Sequence, residues 1–323
     1  MKRRSRNRRR KKQINKKLFG MVVSLIIMAA AALPVAEKTV TDGGASRLEV
    51  LDESSGGLEP ASAEVHFIDV GQGDATLIKC GDEAMLIDAG ENDKGTAIQL
   101  YLKKQGVEKL KYLVLTHPDS DHIGGADVVI TKFDIEKVFM PDYEKDNKTY
   151  EEVLGALQDK YMEAYVPRVG EAYSLGGGEF TILAPNGSYE DSNNSSIALL
   201  FRSGESKFLF TGDAEEEAEA DMLQNGLSLR ADVYKAGHHG SSTASTKSLL
   251  EAVDAKYVVI SCGEGNSYGH PHAEVLNNLR AMGTKVYRTD EQGSVVAETD
   301  GRQITWNCAP SETWQSGERT GRE

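Results

Sequence analysis

The chain has 323 residues, 39% of them hydrophobic, enough to bury a real core in one large domain or two modest ones. Its formal net charge of −13 conceals a division: the first 36 residues carry eleven of the 37 Lys and Arg and no acid, which leaves 26 basic against 50 acidic residues, a balance of −24, in the remainder. A body that acidic lacks the basic footprint of a protein that grips a nucleic acid backbone or an anionic membrane through bulk charge.

Residues 1–17 form a basic block and residues 18–36 a continuous apolar segment without a polar face. This is the order of a secretory signal or an uncleaved signal anchor, with the arginines kept in the cytoplasm. The segment ends in small residues, "LPVAE", compatible with cleavage. Either way the body is expected on the extracellular face of the cytoplasmic membrane, anchored or, once cleaved, secreted. Residues 37–62 are polar and Gly/Ser-rich and read as a flexible spacer. From Ala63, "EVHFIDV", "ATLIKC" and "EAMLIDAG" read as three strands, with "GQGD" as the first turn. "TAIQLYLKKQG" reads as a helix ending at Gly106, "KYLVLTH" as a buried strand, and "HIGGADVVITKF" as the start of a second helix.

"KVFMP" then reads as strand and "KTYEEVLGALQDKY" as helix, followed by strands "GEFTILAP", "SSIALLFRS" and "SKFLFTGD", the last two a hairpin about "GESK". "AEEEAEADMLQNG" is a helix with acids in its first turn and glycine at its end, as helix polarity prefers. Strand "ADVYKAG", helix "STKSLLEAVDA", strand "YVVISCG", helix "HAEVLNNLRAMG" and strands "KVYRT", "SVVAETD" and "QITWN" complete a body at 63–308. The tail, 309–323, is polar and reads as loose. The order suggests one domain of two packed sheets with helices outside. Cys80, Cys262 and Cys308 have no CxxC spacing and read as small buried or incidental thiols.

The chemistry concentrates in "LTHPDSDHIGG". At the end of a strand, alternate side chains share a face, so His117, Asp119 and Asp121 can point together, with His122 following as a helix begins. Four N/O donors in one turn can feed two adjacent metal sites, and Gly124 and Gly125 allow close backbone approach. "PDSD" is also a capping sequence, which would explain either aspartate alone but not the whole set.

"HPDSDH" resembles the signature of the metallo-β-lactamase fold, usually His-x-His-x-Asp-His, in the variant carried by the extracellular domain of ComEC, the DNA-uptake channel of competent bacteria. "FIDVGQGDATLI", "MLIDAG", "NNSSIALLF", "FLFTGD", "KAGHHGSSTAS" and "YGHPHAEVL" follow the same pattern in the same order. The resemblance implies an αββα sandwich holding one or two divalent metal ions, zinc or manganese. It implies His117 and Asp119 as ligands of a first site, Asp121 and His122 as ligands of a second, and Asp213 as the bridging carboxylate. It implies His238 as the last second-site ligand, with His239 able to exchange roles, and Asp88 as the acid orienting the ligand loop. Asp74 falls in a turn that the resemblance places beside the metals, although turn chemistry alone explains it equally well.

The third first-site histidine is absent: "EDSNNSSIA" offers Asn193 and Asn194 instead. A carboxylate at Asp119 and an amide here make that site harder and oxygen-rich, which shifts its preference from zinc toward manganese or magnesium, or leaves it weak or empty. His66 reads as a core or surface residue. His270 and His272 read as capping and loop residues or as substrate contacts with Ser241 and Ser242.

The reaction expected is attack of metal-activated water on a phosphodiester, as in a phosphodiesterase or nuclease, with Asp213 central and His238, His239 or His272 stabilising charge or protonating the leaving oxygen. The acidic body also admits a small extracellular ester or a nucleotide as substrate, and a non-catalytic binding module retaining the fold is the alternative from another class. The multi-spanning channel of ComEC is not in this chain, so a transport role would need a partner protein.

Overall fold

The computed structural model describes residues 62–317; residues 1–61, with the basic block, the apolar segment and nearly all of the spacer, lie outside the described residues, as do residues 318–323. Among the described residues no helix is long and apolar enough to cross a membrane.

The first sheet is built from β1 (Ala63–Phe67), β2 (Thr76–Cys80), β3 (Glu83–Ile87), β4 (Lys109–Val114), β5 (Asp134–Phe139), β6 (Ala164–Tyr165), β14 (Val295–Thr299) and β15 (Ile304–Trp306). The second contains β7 (Ala172–Leu175), β8 (Gly178–Ala184), β9 (Ala198–Ser203), β10 (Ser206–Phe210), β11 (Val233–Lys235), β12 (Tyr257–Ile260) and β13 (Lys285–Arg288). The strand orders are β15-β14-β1-β2-β3-β4-β5-β6 and β13-β12-β11-β10-β9-β8-β7. In each sheet an antiparallel meander gives way to parallel strands: β3 to β6 in the first, β10 to β13 in the second.

Parallel neighbours need crossovers, and helices supply them. In the first half these are α1 (Gly95–Lys104), the short pair α2 (Ser120–Ile123) and α3 (Ala126–Lys132), and α4 (Lys148–Asp159). In the second half they are α5 (Glu216–Gln224), α6 (Lys247–Val253) and α7 (Ala273–Ala281). A single-turn α8 (Thr289–Gln292) precedes β14. The segment expected as one helix from "HIGG" is two, because the glycine pair interrupts it: α2 ends at Ile123 and α3 starts at Ala126.

Three apolar layers follow. Inward-facing residues of both sheets, including Phe67, Ile78, Met85, Phe139, Phe180, Phe201 and Phe208, form the central cluster. Each large side chain buried there contributes about 1.5–3 kcal/mol. The opposite face of the first sheet packs Leu77, Leu86 and Leu113 against Ile98, Leu102, Val129, Val153 and Leu157 of its helices. The second sheet packs Leu209, Tyr234 and Val258 against Ala218, Met222, Leu249 and Leu276. The result is helix, sheet, sheet, helix, a two-sheet α/β sandwich.

Two expectations need correction or completion. The tail is not loose over 309–317: Ser311 N donates to Val286 O (2.7 Å), Arg288 Nη1 to Gln315 O (2.5 Å) and Gly317 N to Pro271 O (3.1 Å). Trp314 packs on the second sheet's helix cluster with Arg280 over its ring, so one aromatic ties down a polar stretch. The cysteines are free thiols, Cys80 and Cys262 buried and Cys308 half-buried.

Candidate metal centre

The parallel strands of both sheets deliver their C-terminal ends to one edge of the sandwich, where open α/β folds place ligands. The segment after β4 brings Thr116 to His122, that after β10 brings Asp213, that after β11 brings Gly237 to Gly240, and that after β3 brings Asp88. Main-chain bonds knit these turns together: Ala89 N to His122 O (2.7 Å), Gly90 N to Asp74 O (2.8 Å) and Asp74 N to Asp121 O (3.0 Å). Gly124 and Gly125 do what the sequence suggested. A Cβ on Gly124 would lie 2.2 Å from Asn92 N, and one on Gly125 2.4 Å from Ala89 O.

Asp88 is fully buried in a left-handed conformation (φ 58°), a backbone state costly for a residue with a side chain. That conformation puts its carboxylate under the ligand loop. Oδ1 accepts from Thr116 N (2.8 Å), while Oδ2 accepts from Thr116 Oγ1 (2.7 Å) and pairs with His122 Nδ1 (2.8 Å). The His122 ring is thereby fixed with Nε2 facing outward. His239 is fixed the same way: its Nδ1 meets the Ser261 carbonyl at 3.0 Å, an acceptor only, so Nδ1 carries the proton.

The two Nε2 atoms therefore face each other 3.3 Å apart. Around them stand Asp121 Oδ2, 3.1 Å from His239 Nε2, and Asp213, whose Oδ1 is 3.2 Å from His122 Nε2 and whose Oδ2 is 3.4 Å from His239 Nε2. Neutral imidazoles would point bare lone pairs at each other and at two carboxylates. Only protons or a cation between them satisfies that arrangement. Without an ion, protons do so. Burial disfavours the charged ring at His239, but Asp213 and Asp121 outweigh it and push its pKa up to about 9. Burial opposes charge at His122 as well, and Asp213, Asp88 and Asp121 hold its pKa well above the usual histidine value. Burial would raise Asp213, yet His122 and His239 hold it well below the usual carboxylate range.

The imidazole placed in this group is that of His239, not His238, which was expected there. Both residues are left-handed (φ 47° and 55°), and that turn sends the two adjacent rings in different directions. His239 is buried. His238 stays at the rim, its side chain 23% exposed, with Nδ1 3.0 Å from Glu215 Oε1 and Nε2 3.8 Å from Asp213 Oδ2. Asp74 belongs to the same buried group by distance. Its Oδ2 is bound by the buried Lys235 and stands 3.9 Å from His239 Nδ1, while its Oδ1 is buried without a hydrogen-bond partner. We read it as the partner of Lys235.

His117 and Asp119 form an adjoining corner. His117 Nε2 is buried without a hydrogen-bond partner and lies 4.0 Å from Asp119 Oδ1 and 4.0 Å from Asp213 Oδ2. Burial and the nearby His122 push its pKa down to about 4. The amides expected to replace a histidine here make other bonds. Asn194 Oδ1 accepts from Glu215 N (3.0 Å) and Ala218 N (3.1 Å) at the start of α5, and Asn193 Nδ2 donates to Glu215 Oε1 (3.2 Å).

Among the remaining predicted residues, His272 stands at the N-cap position of α7 without capping it through its ring, its Nδ1 accepting instead from Ser242 N (3.0 Å), and Ser241 Oγ lies 3.0 Å from Thr243 Oγ1. His270 is buried beside His238, His239 and His272 with Nδ1 unpartnered. His66 is a core residue held by Tyr101 (3.0 Å) and Glu64 (3.1 Å), as read. The sequence reading missed Lys145, Lys235, Glu215 and Thr243. Of these only Lys235 leaves a signal, a lysine between the apolar residues of a strand that ends in "AGHHG".

The chain is 28% identical to ComE operon protein 3 of Bacillus subtilis (strain 168) over 312 residues, 91% of this chain and 40% of that one. It is 32% identical to competence protein ComA of Neisseria gonorrhoeae over 236 residues, 72% of this chain and 32% of that one. It thus spans less than half the length of these curated relatives. Among solved structures, the metallo-beta-lactamase fold protein YhfI from Bacillus subtilis aligns over 74% of this chain and 100% of its own, at 14% identity and a TM-score of 0.49. The family described as the metallo-beta-lactamase superfamily matches residues 68–264, across the turns that carry Asp88, the His117–His122 loop, Asp213 and His239. The chain belongs to the metallo-beta-lactamase superfamily.

Proposed function

We propose that the chain is a metal-dependent hydrolase of phosphodiester bonds working on the extracellular face of the cytoplasmic membrane. The observation that carries the reading is the convergence of Asp121, His122, Asp213 and His239, with both rings locked by outer partners so that their free nitrogens meet. These four residues would hold a divalent ion, zinc or manganese. Such an ion lowers the pKa of water and stabilises charge developing on an oxygen.

The chain's own residues do the rest. Asp88 and the Ser261 carbonyl set the tautomers of His122 and His239. Asp213 is the acid shared between this group and the His117 corner. The His117 Nε2, buried without a partner, faces the corner beside Asp119 and Asp213. At the rim, His238 has Nδ1 held by Glu215 and Thr243 Oγ1 (3.1 Å), which leaves Nε2 to carry a proton to the departing oxygen. Phosphodiesters are favoured because one further relative, 31% identical over 74% of this chain, carries the name Recombination protein 2, and recombination concerns DNA.

The test is a substrate screen of the purified chain with manganese or zinc, using an aryl phosphodiester, dinucleotides, single- and double-stranded DNA, and carboxylic esters. Phosphodiester hydrolysis is the expected result, and Asp213→Ala should lower it at least about 100-fold, the scale on which losing a central electrostatic group acts. A chain that binds ions yet cleaves only carboxylic esters would overturn the substrate class.

A further inference from the structure

Resting on that reading, we propose that Lys145 takes the place of a second divalent ion at the His117 corner, so that the chain holds one ion and meets its substrate with one ion and one ammonium. The superfamily resemblance implies room for two ions. The residues at this corner do not fit the second.

Three donors face the corner: His117 Nε2, Asp119 and the Asp213 oxygen on that side. Asp119 is already paired. Lys145 Nζ, from the loop between β5 and α4, donates to Asp119 Oδ1 at 2.5 Å and to Ser192 Oγ at 3.3 Å. Of the ligands expected from "EDSNNSSIA", Asn194 has its oxygen committed to the start of α5, and Asn193 is held by Glu215 through its Nδ2. An ion entering here would keep His117 and a carboxylate already shared with the neighbouring group, and it would sit beside a fixed positive charge. Two protein donors next to an ammonium are too few to strip a hard divalent ion of its water.

The exchange also accounts for Asp119 standing where the resembled signature has histidine. An imidazole offers a lysine only a lone pair, whereas a carboxylate offers a full opposite charge. A lysine ammonium is a compact point charge that binds a phosphate oxygen without ion exchange. Its side chain is 32% exposed, which leaves donors free for a substrate oxygen. The substrate class this favours is one with a non-bridging anionic oxygen next to the bond that breaks.

Counting ions tests this without reference to turnover. The full-length chain, stripped by chelator and titrated with manganese alone, is read by native mass spectrometry and by electron paramagnetic resonance, where two ions sharing Asp213 give a spin-coupled spectrum and one ion does not. Wild type should saturate at one uncoupled ion, Lys145→Ala should take a second, coupled ion, and Lys145→Arg should stay at one. Two ions in wild type or in Lys145→Arg, or a single ion in Lys145→Ala, overturns the proposal and leaves the hydrolase reading standing. No ion in any of the three overturns both. Lys145 lies in a loop and packs against no core cluster, so alanine there leaves the fold intact.

Discussion

At the scale of single residues, the centre is a set of groups whose protonation states depend on one another. His239 stands at about 9 and His122 well above its usual value, so both carry protons at neutral pH in the ion-free chain. An entering ion must expel them. Apparent affinity should therefore rise with pH through the range around 9 in which His239 loses its proton. Calorimetry in buffers of different ionisation enthalpy should show proton release at pH 7, and a heat independent of buffer would contradict the assignment. The sign for stability runs the other way. A raised imidazole favours the ion-free fold fully below its unfolded pKa, roughly 6.5, and that contribution fades as pH climbs through the folded value.

The resemblance implied that one of two adjacent histidines belongs to the centre, and could not fix which. The choice is made by two consecutive left-handed backbone conformations, a state that side-chain identity does not announce. Lys145 was invisible for another reason. It lies 26 positions from Asp119 in a polar loop, and nothing in its neighbours distinguishes it from a solvated lysine.

At the scale of elements, the turns are more constrained than the helices. Gly125→Ala must push a methyl against main-chain atoms of Ala89 and Gly95, 2.4 and 2.8 Å away, which cannot rotate aside. The cost should be about 1–3 kcal/mol, with weakened ion binding because the same turn carries His122. Gly155 in α4 is the counter-example, since a Cβ there meets nothing within 4 Å. Gly155→Ala should stabilise the chain by about 0.5–1 kcal/mol. Thermal melts of the two variants should move in opposite directions, and parallel shifts would refute the argument. Most of β1–β5 and β8–β14 was legible as apolar runs between turn residues. β6, β7 and α8 were not, being two to four residues long with half-exposed or polar sequences. The anchoring of 309–317 was hidden for a related reason, since its packing on the helix cluster rests on Trp314 in an otherwise polar segment.

At the scale of the whole molecule, charge sets which substrates approach easily. With the body at −24, salt should assist a polyanion by screening repulsion, the reverse of what a basic nucleic-acid binder shows. The Michaelis constant for a long single strand should fall as salt rises from low ionic strength, while that for a dinucleotide stays nearly flat. A steep rise with salt would instead reveal a local basic track.

The donors come from both sheets: His122 follows β4 in one, and Asp213 and His239 follow β10 and β11 in the other. Elsewhere the two layers are held largely by interlocking apolar side chains, which grip without direction. A cation at this edge would act as a clasp, the directional link that sets how far apart the layers stand there. Chelation should therefore loosen one rim while the interior stays shut. Hydrogen exchange would show it as faster labelling confined to the turns after β4, β10 and β11.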